Sequence, residues 1–251
     1  MYAVLALSAL VSLLYPVLHP QFPVPTKGSV VITGCSPGGL GYQLALEVLK
    51  SQPETIKVMC TVRSEADSAT LMSDAGDQKS RLGTFLVDVT DRSQIIALGE
   101  SLKGENVVAV VNNAGYLKYG PFEVSRCTYA VDFGGGGLAI NSLNYSQATE
   151  FRQTLHVNLF GLLDVTQTLL PHLLKQAPRS RIVNIGSMAG TLSRAGTLAY
   201  STSKKAVEGA SDAMRLELGR LGVSVSLVQP GFFSSKMCTN QQGKSQIYRA
   251  R

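Results

Sequence analysis

The stretch that most constrains this chain is Val30-Val31-Ile32-Thr33-Gly34-Cys35-Ser36-Pro37-Gly38-Gly39-Leu40-Gly41. A β-branched apolar run leads into a glycine cluster, and residues 42–49 then carry apolar side chains at helical spacing. The predicted order is strand, tight turn, helix. Glycines at such a turn let the backbone approach a phosphate, and the N-terminus of the next helix offers free N–H groups and the positive end of a dipole. An ordinary strand-to-helix turn uses the same residues, so the remainder of the chain decides between the two.

The alternation continues. Ile56–Val62 reads as a second strand ending at Arg63. In a dinucleotide-binding sheet an acidic residue at this point bonds the adenosine ribose hydroxyls, whereas a basic one accepts a 2′-phosphate. The first acid after the strand is Glu65, so Arg63 predicts NADP(H) in preference to NAD(H). Residues 64–80 are polar and carry a helix, residues 85–87 form a third strand, and Thr90 or Asp91 caps a helix over 93–102. Residues 107–111 are a continuous apolar strand of the buried parallel kind, running into Asn112-Asn113-Ala114-Gly115. A long helix over 151–174 follows, with Pro171 kinking it or opening its last segment. Then come a strand over 182–185 ending at Gly186-Ser187, a polar linker over 188–198, a helix bearing Tyr200 and Lys204, and a strand Val223–Val228 ending at Gln229-Pro230-Gly231. No internal repeat is visible. The class is α/β: a Rossmann-type doubly wound parallel sheet of strand order 3-2-1-4-5-6, with ligands at the carboxyl ends of its strands.

At 251 residues, 45% hydrophobic and 16% charged, the chain suits one such domain with a large core and a short appendage. Its net charge of +6 is spread over the sequence apart from a loose group at Lys236, Lys244, Arg249 and Arg251. That pattern reads as a solvated surface, with no nucleic-acid partner, although it also suits an anionic cofactor or an anionic membrane. The cysteines Cys35, Cys60, Cys127 and Cys238 have no metal-ligand spacing, and His19, His156 and His172 form no cluster, so no metal is expected. Cys35 in the glycine turn and Cys60 in a strand read as buried thiols, which favours a reducing compartment.

The amino end carries no charge from Tyr2 to Leu18, and Pro16, Pro20, Pro23 and Pro25 stiffen the connection that follows. Residues 1–27 are therefore expected to be a hydrophobic anchor and connector, with membrane association through residues 1–22 and domain 28–251 on the cytoplasmic side. The endoplasmic reticulum or a lipid droplet suits this; without the anchor the domain is cytoplasmic. A signal peptide, which would want a basic leading segment, and a docked apolar arm are the alternatives. Residues 125–144 include four consecutive glycines, Gly134 to Gly137, and read as a surface insertion: a lid, a passive loop or translated non-coding sequence. The apolar helix over 151–174 also suits a homodimer contact.

The chemistry concentrates around Tyr200-Ser201-Thr202-Ser203-Lys204, which sets a phenol and an ammonium four residues apart on one helix face. A phenol titrates near about 10, and a neighbouring cation stabilises the phenolate, as a general acid/base requires. Ser187 lies 13 residues earlier, at the carboxyl end of a strand, where its hydroxyl can hold a carbonyl oxygen. Asn158 lies on the long helix facing that site.

Taken together, Thr33-Gly34, Gly39-Leu40-Gly41, Asn113-Ala114-Gly115, Ser187, Tyr200 with Lys204, and Pro230-Gly231 resemble the short-chain dehydrogenase/reductase family over roughly residues 28–237. The resemblance implies that Tyr200 exchanges the proton, that Lys204 binds the nicotinamide ribose and tunes Tyr200, and that Ser187 polarises the carbonyl. By the same resemblance Asn158, in Val157-Asn158-Leu159-Phe160-Gly161, fixes a water in a proton relay. Cofactor contacts are implied for Gly34, Ser36, Gly39, Leu40, Gly41, Arg63, Asp88, Asn113, Ala114, Gly115, Pro230 and Gly231, with Asp88 near the adenine, Asn113 near its ribose and Pro230-Gly231 against the nicotinamide. Thr61-Val62-Arg63 and Thr33-Gly34-Cys35-Ser36 are similar to the branch holding 17β-hydroxysteroid dehydrogenases, retinol dehydrogenases and acyl-dihydroxyacetone-phosphate reductases. That implies an NADP(H)-dependent oxidoreductase acting on a small lipophilic carbonyl or alcohol, such as a steroid, retinoid or lipid ketone.

Three features depart from the family pattern. The glycine turn is one residue longer than usual, leaving Gly38 or Gly39 for its second position, with Gly39 preferred because it keeps the closing Gly-x-Gly. The insertion over 125–144 precedes the long helix. Only 20 residues follow Gly231, where the family continues with a substrate-covering loop and helix and a seventh strand. The seventh strand is expected to be missing, through truncation, as a low-activity variant or from an incorrect gene model. A cofactor-binding but catalytically weak scaffold or regulatory protein is the alternative function.

Overall fold

A computed structural model describes residues 23–118 and 147–231. Six parallel strands form one sheet in the order β3-β2-β1-β4-β5-β6. They are β1 (Gly28–Ile32), β2 (Ile56–Val62), β3 (Leu82–Leu86), β4 (Val107–Asn112), β5 (Ser180–Ile185) and β6 (Val223–Val228). The helices are α1 (Leu40–Ser51), α2 (Glu65–Asp74), α3 (Arg92–Ser101), α4 (Gln147–Leu155), α5 (Gly161–Leu174) and α6 (Leu198–Gly219).

Successive side chains of a strand face opposite sides, and here both sides are covered. Val31, paired with Met59 and Val110, looks into a core shared with Ile95 and Leu98 of α3 and Val165, Leu169 and Leu173 of α5. Ile32, paired with Cys60 and Val111, looks the other way, onto Ala45 and Leu49 of α1 and Leu71 of α2. This is why β4 reads as an unbroken apolar run. Each fully buried aliphatic side chain in these layers stabilises the fold by about 1.5–3 kcal/mol.

One local expectation needs correction and two are sharpened. The third strand spans Leu82–Leu86, not 85–87, because its pairing starts at Val58↔Leu82 and Met59↔Gly83, which the glycine's poor strand propensity conceals. The polar helix after β2 stops at Asp74, and a 3₁₀ turn, Gly76–Arg81, takes over. Pro171 does not open a new segment; α5 runs through it to Leu174, with Leu169 and Leu173 fully buried on either side. Asp91 is the residue that caps α3.

Among the described residues no helix is long and apolar enough to cross a membrane. The expected anchor over 1–22, the insertion over 125–144 and the region of a seventh strand lie outside them.

Candidate active site

The glycine turn is fastened to the ends of two neighbouring strands. Thr33 donates its backbone N–H to Val111 O at 3.0 Å, while its hydroxyl accepts from the N–H groups of Asn113 and Ala114, both at 3.0 Å. Gly34 sits at φ +73°, and a Cβ there would come within 2.7 Å of Ala114 Cα, so only glycine fits. Its N–H donates to Thr61 Oγ1 at 3.1 Å, anchoring the turn to β2.

The extra residue of the turn divides its tasks. Gly38 takes the left-handed conformation, φ +80°, whereas Gly39 caps α1 at φ −95° and lines the cleft beside it. No side chain caps α1, and its first turn holds no acidic residue. Gly41 lies behind the turn, where a Cβ would fall 2.3 Å from Asn113 Nδ2. That amide donates to Thr33 O at 2.8 Å and Gly34 O at 3.0 Å, so the side chain of Asn113 braces the turn.

One cleft of about 1370 Å³ runs along the carboxyl edge of the sheet. Its wall gathers Gly34, Ser36, Gly39 and Leu40 from the first turn, and Arg63 and Asp88 from the ends of β2 and β3. Ala114 and Gly115 join Asn113 after β4, and Ser187, Tyr200, Lys204, Pro230 and Gly231 complete the other end. Arg63 is exposed and makes no ion pair or hydrogen bond among the described residues. Asp88 is occupied, its Oδ1 accepting from the N–H and hydroxyl of Thr90 at 2.8 and 2.7 Å.

Lys204 is 5% exposed, and its ammonium donates to Ile185 O at 2.7 Å. Burial pulls its pKa down to about 8. Its Nζ stands 5.8 Å from the centroid of the Tyr200 ring, one helical turn away. Ser187 follows β5 at the head of a short 3₁₀ turn, Met188–Gly190, where its hydroxyl accepts from Ala189 N at 3.1 Å. The segment is held to the end of β6 by Gly186 N–H to Val228 O, 2.7 Å, and Met188 N–H to Pro230 O, 3.1 Å. A phenol, a hydroxyl and a poorly solvated cation thus line one cavity, an arrangement able to move a proton to or from an oxygen bound there.

Asn158 is not on the cleft wall. It lies in a π-helical turn, His156–Phe160, between α4 and α5, and is 1% exposed. Its Oδ1 accepts from Tyr116 N at 2.6 Å, and its Nδ2 donates to Tyr116 O at 2.9 Å and Ser203 Oγ at 2.8 Å. Ser203 Oγ in turn donates to Tyr200 O at 2.7 Å. The side-chain amide therefore clamps the loop after β4 to the turn of α6 that carries Tyr200. Sequence reasoning missed Tyr116, Ser203 and Thr61, each of which acts through at least one partner distant in the chain, Asn158 for the first two and Gly34 for the third. It also passed over Arg152, His156 and Arg194, which line the cleft; the four-residue spacing of the first two along a helix was the available signal.

The chain matches the short chain dehydrogenase family over residues 28–246. Among its relatives, 17-beta-hydroxysteroid dehydrogenase type 6 of Bos taurus is 34% identical over 224 residues, covering 88% of this chain and 61% of that protein. Retinol dehydrogenase 16 of Mus musculus is 31% identical over 224 residues, covering 85% and 61%. The chain thus spans about three-fifths of the length of these relatives. A short-chain dehydrogenase structure from Streptomyces avermitilis aligns with a TM-score of 0.66 at 27% identity, over 84% of this chain and 68% of that one. The NADP-bound structure of ElxO shares the fold, with a TM-score of 0.70 at 24% identity over 87% and 79%. Sequence match and strand order agree: the chain belongs to the short chain dehydrogenase family of oxidoreductases.

Proposed function

We propose that this chain is an NADP(H)-dependent oxidoreductase that interconverts a carbonyl and an alcohol on a small lipophilic substrate. The observation that carries the reading is that the open N-terminus of α1 and the Tyr200–Lys204 pair face one shared cleft. Its volume exceeds the roughly 300–1,000 Å³ of ordinary small-molecule pockets, which suits a dinucleotide together with a substrate.

The residues present fit the cofactor. The uncapped first turn of α1 suits a pyrophosphate, and Arg63, without a partner among the described residues at the end of β2, suits a 2′-phosphate. Ala114, Gly115, Pro230 and Gly231 offer close backbone approach along the remainder. When bound, the reduced nicotinamide supplies the hydride received by the carbonyl carbon. Tyr200 gives its phenolic proton to the carbonyl oxygen, and the Lys204 ammonium stabilises the phenolate left behind. Ser187 donates its hydroxyl hydrogen to the same carbonyl oxygen and orients it. Asn158 positions rather than touches, through Tyr116 and Ser203. Half-exposed Met188 and Leu192 on the cleft wall, at 47% and 62%, support a lipophilic substrate, as do the names of the steroid and retinol dehydrogenases it resembles. The reading keeps a homodimer contact along residues 151–174, where Phe160 is 51% exposed, and a membrane-associated, cytoplasm-facing placement through residues 1–22.

The test is NADPH oxidation with a panel of lipophilic ketones and aldehydes. Tyr200→Phe is expected to lower turnover by about 10²–10⁴-fold while leaving NADPH affinity within about twofold. An unchanged rate overturns the role of Tyr200; tight NADPH binding with no turnover of any substrate by the unmodified chain overturns the enzyme reading.

A further inference from the structure

All six strands are parallel, so their amino ends share one edge of the sheet, opposite the cleft. A cation lies shortly before each strand on that edge: Lys27 before β1, Lys50 in the last turn of α1 before β2, Lys79 before β3, Lys103 before β4, Arg179 before β5 and Arg220 before β6. All six are exposed, and of these only Lys103 makes an ion pair among the described residues, with Glu100. Arg81 and Lys175 add to the same edge. The acids over the same stretches are Glu54, Asp74, Asp77, Glu100, Glu105 and Glu217; Glu100 pairs with Lys103, Asp74 accepts from the Tyr42 hydroxyl, and Glu105 is taken up by Ser29 and Lys57. Burial first, then the Lys175 ammonium, hold His172 below the usual imidazole range; contacts from Gly99 and Glu100 oppose this, and Lys103 adds the smallest share.

The connections form a continuous surface. Gly28 N–H donates to Thr55 O at 3.1 Å, Ser29 N–H to Asn106 O at 2.8 Å, and Gln176 Nε2 to Asn106 Oδ1 at 3.2 Å. Arg181 Nη2 donates to Pro23 O at 3.0 Å, so the first described residues lie along this edge. Apolar side chains stand among the cations: Val24 is 69%, Leu221 54% and Leu174 39% exposed.

We propose that this amino edge of the sheet is a docking surface for an anionic lipid bilayer. Cations held near such a surface each strengthen binding by about fivefold, and neighbouring apolar side chains enter the interface. A nucleic acid would meet the same cations, but the interspersed apolar residues and the uncharged amino-terminal segment favour the bilayer. The strands, of five to seven residues at about 3.3 Å each, set the cleft roughly 20 Å beyond the docked edge, so substrate enters from the aqueous side. The inference rests on this edge and not on the reaction assigned to the cleft.

The experiment is flotation of the full chain with phosphatidylcholine vesicles, with and without phosphatidylserine. Binding is expected to be stronger with phosphatidylserine and to weaken as salt is raised. The variant Lys50→Gln/Lys79→Gln/Arg179→Gln/Arg220→Gln is expected to lose on the order of a hundredfold or more in binding to the anionic vesicles at unchanged Tm. Lys79→Gln/Arg220→Gln, expected to lose about 25-fold, serves if the quadruple variant does not fold. Arg92→Gln/Lys205→Gln, which removes exposed cations elsewhere, is expected to bind as the unmodified chain does. Undiminished binding by the edge variants overturns the proposal. So does equal binding to neutral and anionic vesicles, or tighter, variant-sensitive binding to a single-stranded RNA.

Discussion

The β1–α1 and β3–α3 junctions are the same architectural event, a parallel strand turning into a helix at the carboxyl edge, finished in opposite ways. At the second, Asp91 accepts from Ser93 N at 2.9 Å and Gln94 N at 3.3 Å. The Ser93 hydroxyl and then the Gln94 N–H hold its carboxyl below the usual carboxylate range. The β2–α2 junction is closed in the same manner, by Ser64 accepting from Asp67 N at 3.1 Å. At β1–α1 the cap is Gly39, no side chain satisfies the first N–H groups, and no acid offsets the dipole. A helix end closed by its own chain is structural, while one left open above a cleft is arranged for an anion from outside.

The contrast extends to Lys204, whose buried ammonium likewise has no carboxylate partner among the described residues. Its folded pKa, about 8, lies below the unfolded value, so the unfolded chain holds more protons between the two. In the absence of cofactor, the Lys204 contribution to stability is therefore least favourable below pH 8 and improves as pH rises toward about 10.5, by on the order of 3 kcal/mol. Urea unfolding across pH should show this rise in the unmodified protein and not in Lys204→Met. Identical profiles would break the extension of the contrast.

Three further substitutions act on the junctions themselves. Gly39→Asp gives α1 the kind of cap that α3 possesses, at a backbone angle any residue adopts, although its Cβ lies a tight 3.1 Å from Ser36 O. It is expected to lower NADPH affinity on the order of a hundredfold without lowering Tm in the absence of cofactor. Unaltered affinity by calorimetry would mean that the open end is not an anion site. Arg63→Ser should weaken NADPH about tenfold and leave NADH unchanged; equal losses for both cofactors would remove Arg63 as the discriminating residue. The smallest effect is expected for Asp91→Ala, a fall in Tm of roughly 2–4 °C with NADPH affinity untouched. A matching fall in affinity would erase the difference between the two junctions.

Much of this was legible in the chain. The apolar runs of β2, β4 and β6 and the glycine turn have short-range causes, namely side-chain alternation, burial on both faces and backbone freedom. The spacing of Tyr200 and Lys204 fixes their relation because a helix brings residues four apart together. The start of β3 was hidden because Leu82, Gly83 and Thr84 are in the strand through pairing with Val58, Met59 and Cys60 rather than through their own propensity. Asn158 stood out as a residue type, but its partners, Tyr116 and Ser203, are 42 and 45 residues away, and nothing local announces such contacts.

The sequence by itself determined the order of strands and helices, the turn beneath α1 and the inventory of reactive groups, since each follows from interactions within a few residues. Only the tertiary structure decided which glycine bends and which faces the cleft, that Lys204 is buried against Ile185 O, and that the cations preceding six separate strands share one edge. Those outcomes depend on where parallel crossovers return the chain, and a crossover places residues side by side without regard to their separation in sequence.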